Sequence, residues 1–298
     1  VSRSPIRNAG KAIVALGLLA SVASQWGCVL ARPVHANIDL PLDAGDMSEV
    51  SFPSSSGSTL RAWYMPGRAG FGAVLLLHGV GSNRTSMLAR VRFLHARGFA
   101  VLAPDFQAAG ESPGEHVTFG ARESLDAAAA VDYLRRAAPD ERLGIIGVSM
   151  GGAAALVGPA PLNVEAIVLE SVYPTFRLAV ADRLKTWFGP FGLLGPPLAP
   201  VLIKLVGPAI GVSEESLRPI DRIGGVHEPV LLLAGSEDRY TPLREAHALF
   251  DRIRAPKRFW EVTGAGHEDL HAFAPAEYER VVGTFLDELL SSHHVVLR

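Results

Sequence analysis

A chain of 298 residues, nearly half of them apolar and only 19% charged, holds enough material for one large globular domain and does not have the composition of a disordered chain. Its formal net charge of -2 supplies no basic field for nucleic acid, which is excluded as an expected partner. The single cysteine, Cys28, rules out an intrachain disulfide framework, and no Cys/His cluster has zinc spacing, so neither a metal nor a cofactor is expected.

In chain order, Arg3, Arg7 and Lys11 precede an apolar run over residues 12–23 that continues more weakly through Trp26, Val29 and Leu30. Residues 1–36 read as a secretory signal with Val34-His35-Ala36 as its small-residue cleavage site, or as an uncleaved anchor, because residues 12–31 approach the length of a bilayer span. A lipoprotein reading through Cys28 fits less well, since Gln25 and Trp26 stand where aliphatic and small residues are wanted. Signal and anchor both place the rest of the chain outside the cytoplasm. A linker over residues 37–48 follows.

Two β-patterned stretches, 49–52 and 59–65, flank Ser54-Ser55-Ser56-Gly57 and predict an edge hairpin. Short runs apolar on both faces come next, at 73–77, 99–103, 143–148, 164–169, 230–234 and 258–262. They alternate with helical patterns at 85–97, 120–136, 152–157, 243–253 and 276–290. Strands buried on both faces and alternating with helices predict an α/β fold, a mostly parallel doubly wound sheet, over residues 49–292. Residues 293–298 form a tail, where His293 and His294 suit a solvated pair better than a metal site. Residues 174–225 break the rhythm, being far longer than an ordinary connection and rich in apolar residues from Trp187 to Val206. Two readings stay open for them: a structural helical excursion, or a lid whose apolar face lines an acyl pocket or meets lipid.

Four motifs carry chemistry. Gly147-Val148-Ser149-Met150-Gly151-Gly152 follows a strand and opens a small-residue helix, the context of a nucleophile elbow. His78-Gly79-Val80-Gly81 ends the strand at 73–77. Gly235-Ser236-Glu237-Asp238 follows the strand at 230–234, with Pro242 four residues beyond the aspartate. Gly264-Ala265-Gly266-His267 follows the last strand. Each sits at the carboxyl end of a strand, where open α/β sheets place their ligands.

Together these motifs resemble the α/β-hydrolase family, over roughly residues 49–290. The resemblance implies an α/β-hydrolase fold with a helical lid insertion at about 174–225. It implies Ser149 as nucleophile, His267 as base and Asp238 as the acid that orients it, in the chain order Ser, Asp, His. The oxyanion hole would be the backbone N–H groups of Val80 and Met150. The His78 side chain reads as a buried support for its loop rather than a base. Glu170, ending an earlier strand, is the alternative acid, and His271 the competing base. The segment from Asp105 to Ser112 departs from the family pattern, with Gln107 and Ala108 replacing an arginine and a glycine; Asp105 reads as structural, and the local loop geometry is put in doubt.

The expected activity is hydrolysis of a small-molecule ester, thioester or amide through an acyl-enzyme, carboxylesterase- or lipase-like, with peptidase-like amide hydrolysis as the runner-up. The stretch Leu217-Arg218-Pro219-Ile220 resembles the serine-peptidase-like and lipid-ester branches of the family. An acyltransferase or cofactor-free peroxidase would use the same triad, and a non-catalytic binding protein would keep the fold alone. The N-terminal segment and the lid are the candidate membrane contacts.

Overall fold

The computed structural model describes residues 31–292. The expected signal or anchor (through residue 30) and the 293–298 tail lie outside the described residues.

Eight strands form one sheet: β1 (Ser48–Pro53), β2 (Thr59–Met65), β3 (Ala73–Leu77), β4 (Ala100–Pro104), β5 (Leu143–Val148), β6 (Ala166–Glu170), β7 (Val230–Gly235) and β8 (Lys257–Val262). Their order is β8-β7-β6-β5-β3-β4-β2-β1. The hairpin β1/β2 is antiparallel and joins β4 antiparallel, while every other pairing is parallel. Order reverses at the β3/β5 pair, so crevices open at the carboxyl ends of these central strands.

The central strands are apolar throughout because both faces are covered. Successive side chains alternate, and the two layers separate by residue parity. Leu75, Leu77, Ile145, Ile167 and Leu232 pack against α2 (Glu123–Ala137), α3 (Met150–Val157) and α6 (Leu243–Arg252). Val74, Leu76, Ile146, Val168 and Leu231 pack against α1 (Leu88–Ala96) and α7 (Pro275–Leu290). Truncating a fully buried leucine here, such as Leu75, would cost about 2–5 kcal/mol.

Residues 31–36, the end of the stretch read as signal or anchor, and the linker over 37–48 are packed onto this body. Val34–His35 pairs in parallel with Ala109–Gly110, Val117 N donates to Ala31 O at 2.9 Å, and Ala31, Ile38 and Met47 are buried.

The long connection after β6 is helical. Thr175 caps α4 (Phe176–Trp187) by accepting from Leu178 N, a 3-10 turn (Gly189–Leu194) reverses the chain, and α5 (Gly195–Ile210) returns to a left-handed cap at Gly211. The reversal needs small residues: a Cβ on Gly192 would fall 2.5 Å from Lys185 O. Phe176, Ala179, Ile203, Val206 and Ile210 join the main core, so the base of the excursion is structural. Its far end, including Phe191 and Leu193, is exposed. Two backbone hydrogen bonds close the neck, Phe176 N to Leu217 O at 2.9 Å and Ile220 N to Pro174 O at 3.0 Å.

Candidate active site

Ser149 occupies the turn between β5 and α3 with φ 49° and ψ −108°, a left-handed conformation that strains a residue with a Cβ. The turn closes because its neighbours lack side chains. A Cβ on Gly151 would lie 2.2 Å from Leu77 O, and one on Gly147 would lie 2.6 Å from Gly152 Cα. Ser149 N donates to Glu170 O at 2.7 Å, which pins the turn to the end of β6. The helix therefore begins at Met150, two residues before the apolar pattern suggests, and its N-terminal end faces the Ser149 side chain.

The base and acid arrive on adjacent loops. His267 Nε2 lies 3.3 Å from Ser149 Oγ, and His267 Nδ1 lies 2.7 Å from Asp238 Oδ2. Asp238 is buried, and its other oxygen accepts from Tyr240 N and Thr241 N, both at 2.8 Å. A carboxylate held by two backbone donors, with its remaining oxygen on the imidazole, fixes which ring nitrogen carries a proton and leaves Nε2 to face the serine. The two loops are laced together: Glu237 N donates to Ala265 O at 2.9 Å, and Gly264 N to Ser236 Oγ at 2.8 Å. Gly235 permits that approach, since a Cβ there would meet Ala265 O at 2.4 Å.

His78 is fully buried, its Nδ1 on Gly79 O at 2.8 Å and its Nε2 accepting from Phe106 N at 3.1 Å. Burial lowers its pKa, so it is a neutral brace between the Gly79–Val80 turn and the end of β4. That turn lies against the serine, with a Cβ on Gly79 falling 3.8 Å from Ser149 Cβ. Asp105 is also structural: it accepts from Arg84 N at 2.7 Å and Glu111 N at 3.0 Å and pairs with the Arg84 guanidinium. Where the family pattern has arginine and glycine, Gln107 bridges Glu123 and His116 O, and Ala108 takes a left-handed φ of 61°.

Glu170 is not brought to His267. Its carboxylate accepts from Arg90 Nη2 at 2.7 Å and Arg90 Nε at 3.2 Å, and from the Tyr278 hydroxyl, all buried. Arg90 also reaches Asp269 at 2.8 Å, two residues beyond His267. Burial is the largest single influence and opposes the Arg90 charge, but Glu170, Tyr278 and Asp269 together outweigh it and raise the pKa well above the ordinary value. His271 pairs with Glu279 at 3.0 Å and is not the partner of Ser149. Nothing in sequence spacing announces the Arg90–Glu170–Tyr278–Asp269 network, whose members lie up to 188 positions apart.

The insertion meets the acid loop through Arg183 of α4, whose guanidinium lies 5.3 Å from the centre of the Tyr240 ring. Beside it, Asp182 of α4 faces Glu245 of α6, with Arg244 Nη2 3.5 Å from Asp182 and 3.0 Å from Glu245. Burial, with Asp182 alongside, pushes the Glu245 carboxyl up to about 8, so Glu245 keeps its proton near neutrality. A solvent-open hollow of about 520 Å³, lined in part by His35, Arg61 and Glu111, contains none of Ser149, Asp238 or His267.

The sequence and the fold have relatives among known proteins. An uncharacterized protein of Mycobacterium tuberculosis is 28% identical over 266 residues, 87% of this chain and 86% of its own length. The Bacillus subtilis protein YqkD is 25% identical over 250 residues, 80% of this chain and 79% of its own. An esterase of Pyrococcus furiosus superposes with a TM-score of 0.71 at 24% identity, over 88% of this chain and 97% of its own. An esterase of Exiguobacterium antarcticum superposes with a TM-score of 0.60 at 15% identity, over 80% and 99% respectively. The model of the alpha/beta hydrolase family matches residues 74–281, well over half of the sequence and every strand from β3 to β8, and the chain belongs to that family.

Proposed function

We propose that the chain is a serine hydrolase that cleaves small carboxylic esters through an acyl-enzyme intermediate. The observation that carries this reading is the continuous relay from Ser149 Oγ to His267 Nε2 and from His267 Nδ1 to Asp238 Oδ2. In the first half-reaction His267 takes the Ser149 proton as Oγ attacks the acyl carbon, and Asp238 stabilises the imidazolium. The tetrahedral oxyanion accepts hydrogen bonds from Val80 N and Met150 N; the close approach of the Gly79 turn and the position of Met150 at the start of α3 support that assignment. His267 then protonates the leaving alcohol, and a water attacks the acyl-enzyme by the same route in reverse. The esterases among the superposed structures favour an ester over an amide as the scissile bond.

The basic start followed by an apolar run supports a location outside the cytoplasm, as a secreted or membrane-held enzyme. The test of the chemistry is Ser149→Ala against acyl esters of graded chain length, with an aminoacyl amide alongside. Turnover should fall by about 10⁴-fold or more at unchanged melting temperature, and labelling by a fluorophosphonate probe should disappear. A variant that is still labelled removes Ser149 from the mechanism.

A further inference from the structure

We infer that the exposed end of the insertion, from Trp187 to Leu205, docks on an anionic lipid bilayer, near the side of the molecule where Ala31 lies. This goes beyond the hydrolase reading and does not depend on which bond is cleaved.

The first observation is exposure. Phe191 and Leu193 at the reversal are 73% and 86% exposed, and Trp187, Leu194, Val201 and Leu205 are each about half exposed. On α5 the spacing Leu194, Val201, Leu205 keeps these side chains on one stripe, while Ile203, Val206 and Ile210 face the core. An 18-residue window within Gly189–Ile210 has a mean hydropathy of 1.6 with only a third of it buried, which is too little cover for a core helix. Because the other face of α5 packs on the protein, the segment would lie on a bilayer rather than cross it. A contiguous apolar surface of this kind marks an interaction site.

The second observation is charge. No aspartate or glutamate occurs between Asp182 and Glu214, whereas Lys185 and Lys204 are exposed beside the apolar stripe. Apolar and aromatic side chains flanked by lysines match an anionic headgroup layer over a hydrocarbon interior.

The third is convergence. Ala31, where the described chain begins, is bonded to Val117, and two residues on Phe119 packs its ring 4.9 Å from Phe176 at the base of α4. Ala31, which follows the apolar run in the sequence, thus lies beside the foot of the insertion. The twelve residues of α4 carry the tip about 18 Å from that foot. The seven residues 24–30, between the strongest apolar run and Ala31, span up to about 23 Å extended. One bilayer can therefore hold both elements.

The experiment uses the full chain with Cys28→Ser and Leu193→Cys, carrying an environment-sensitive nitrobenzoxadiazole dye, with melting temperature as the check on folding. A matched protein carries the dye at Ser51→Cys on the exposed edge strand β1. With vesicles of equimolar phosphatidylcholine and phosphatidylglycerol, emission at 193 should shift to the blue and be quenched by a lipid-borne nitroxide, while emission at 51 stays unchanged. Lys185→Ala and Lys204→Ala should each lower the bound-to-free ratio of the probe at 193 by about fivefold. This readout is local, so insertion of the N-terminal segment cannot produce it. Water-like, unquenched emission at 193 overturns the proposal, and so does an equal response to pure phosphatidylcholine. A blue shift that grows with protein concentration in the absence of vesicles assigns the surface to a second copy of the chain and overturns it too.

Discussion

On the side of Ser149 that supplies the base, the loop holding His267 is fastened by buried charge. Arg90 grips Glu170 and Asp269 at once, and Asp269 caps the next helical turn through His271 N at 2.9 Å. On the side that supplies the insertion, fastening comes from apolar contact at the base and a protonated Glu245 beside Asp182, and the far end stays exposed. The first arrangement has one good geometry and fails if any member is missing. The second tolerates displacement, because apolar contact has no preferred angle and the Glu245 proton can be removed. Fixed geometry surrounds the proton relay, and adaptable packing surrounds the surface that meets what comes from outside.

Breaking the fixed side should have the largest effect. Arg90→Met leaves the Glu170 carboxylate buried without its cation and should cost about 3–5 kcal/mol in chemical denaturation. Arg90→Met combined with Glu170→Met should recover most of that stability, because the one carboxylate left without its cation, Asp269, is 38% exposed. If the double variant is no more stable than the single one, buried charge is not what fastens this side.

The insertion side should respond to pH. The Glu245 carboxyl is raised to about 8 in the folded protein, so its protonated form contributes stability that is complete below its ordinary value of 4.5 and is lost as pH rises through about 8. Asp182 and Arg244 are the charged groups facing it. Wild type should therefore lose melting temperature between pH 5 and 9 relative to Glu245→Gln, by on the order of 3 °C at the alkaline end. Parallel melting profiles would separate this pair from the docking of α4.

A small stability effect belongs to the tip. Trp187→Ala with Phe191→Ala should cost about 1 kcal/mol, since Phe191 is 73% exposed and Trp187 about half exposed. If the tip also acts as a lid, KM for long-chain esters should rise about tenfold while a short acetyl ester is little affected. A larger fall in melting temperature with uniform loss on every substrate would move the tip to the structural side of the comparison.

Much of this fold is readable from sequence because its signals are local. Apolar runs such as 73–77 and 143–148 can be buried on both faces only as central strands, and the glycines beside Ser149, with Gly235 ahead of Asp238, report close backbone approach. What sequence leaves open is set by long-range pairing. Val34–His35 is too short to show any periodicity, and only its partner Ala109–Gly110 makes it a strand. Glu170 ends a strand, as an acid of the triad could, and only the arrival of Arg90 and Tyr278 from α1 and α7 assigns it elsewhere. The carboxyl pair of Asp182 and Glu245 is equally invisible, because two ordinary surface-type residues become unusual only when α4 and α6 meet.

The neck of the insertion has a consequence for how such an enzyme diversifies. The chain departs and re-enters through a gap closed by two backbone hydrogen bonds, at Phe176–Leu217 and Pro174–Ile220. Lengthening or shortening what lies between changes the closure entropy by only about 0.6 kcal/mol per doubling. The segment is therefore an exchangeable cassette. Any replacement that refills the places of Phe176, Ala179, Ile203, Val206 and Ile210 can bring a new pocket wall or a new docking face, while Ser149, Asp238 and His267 remain where the sheet puts them.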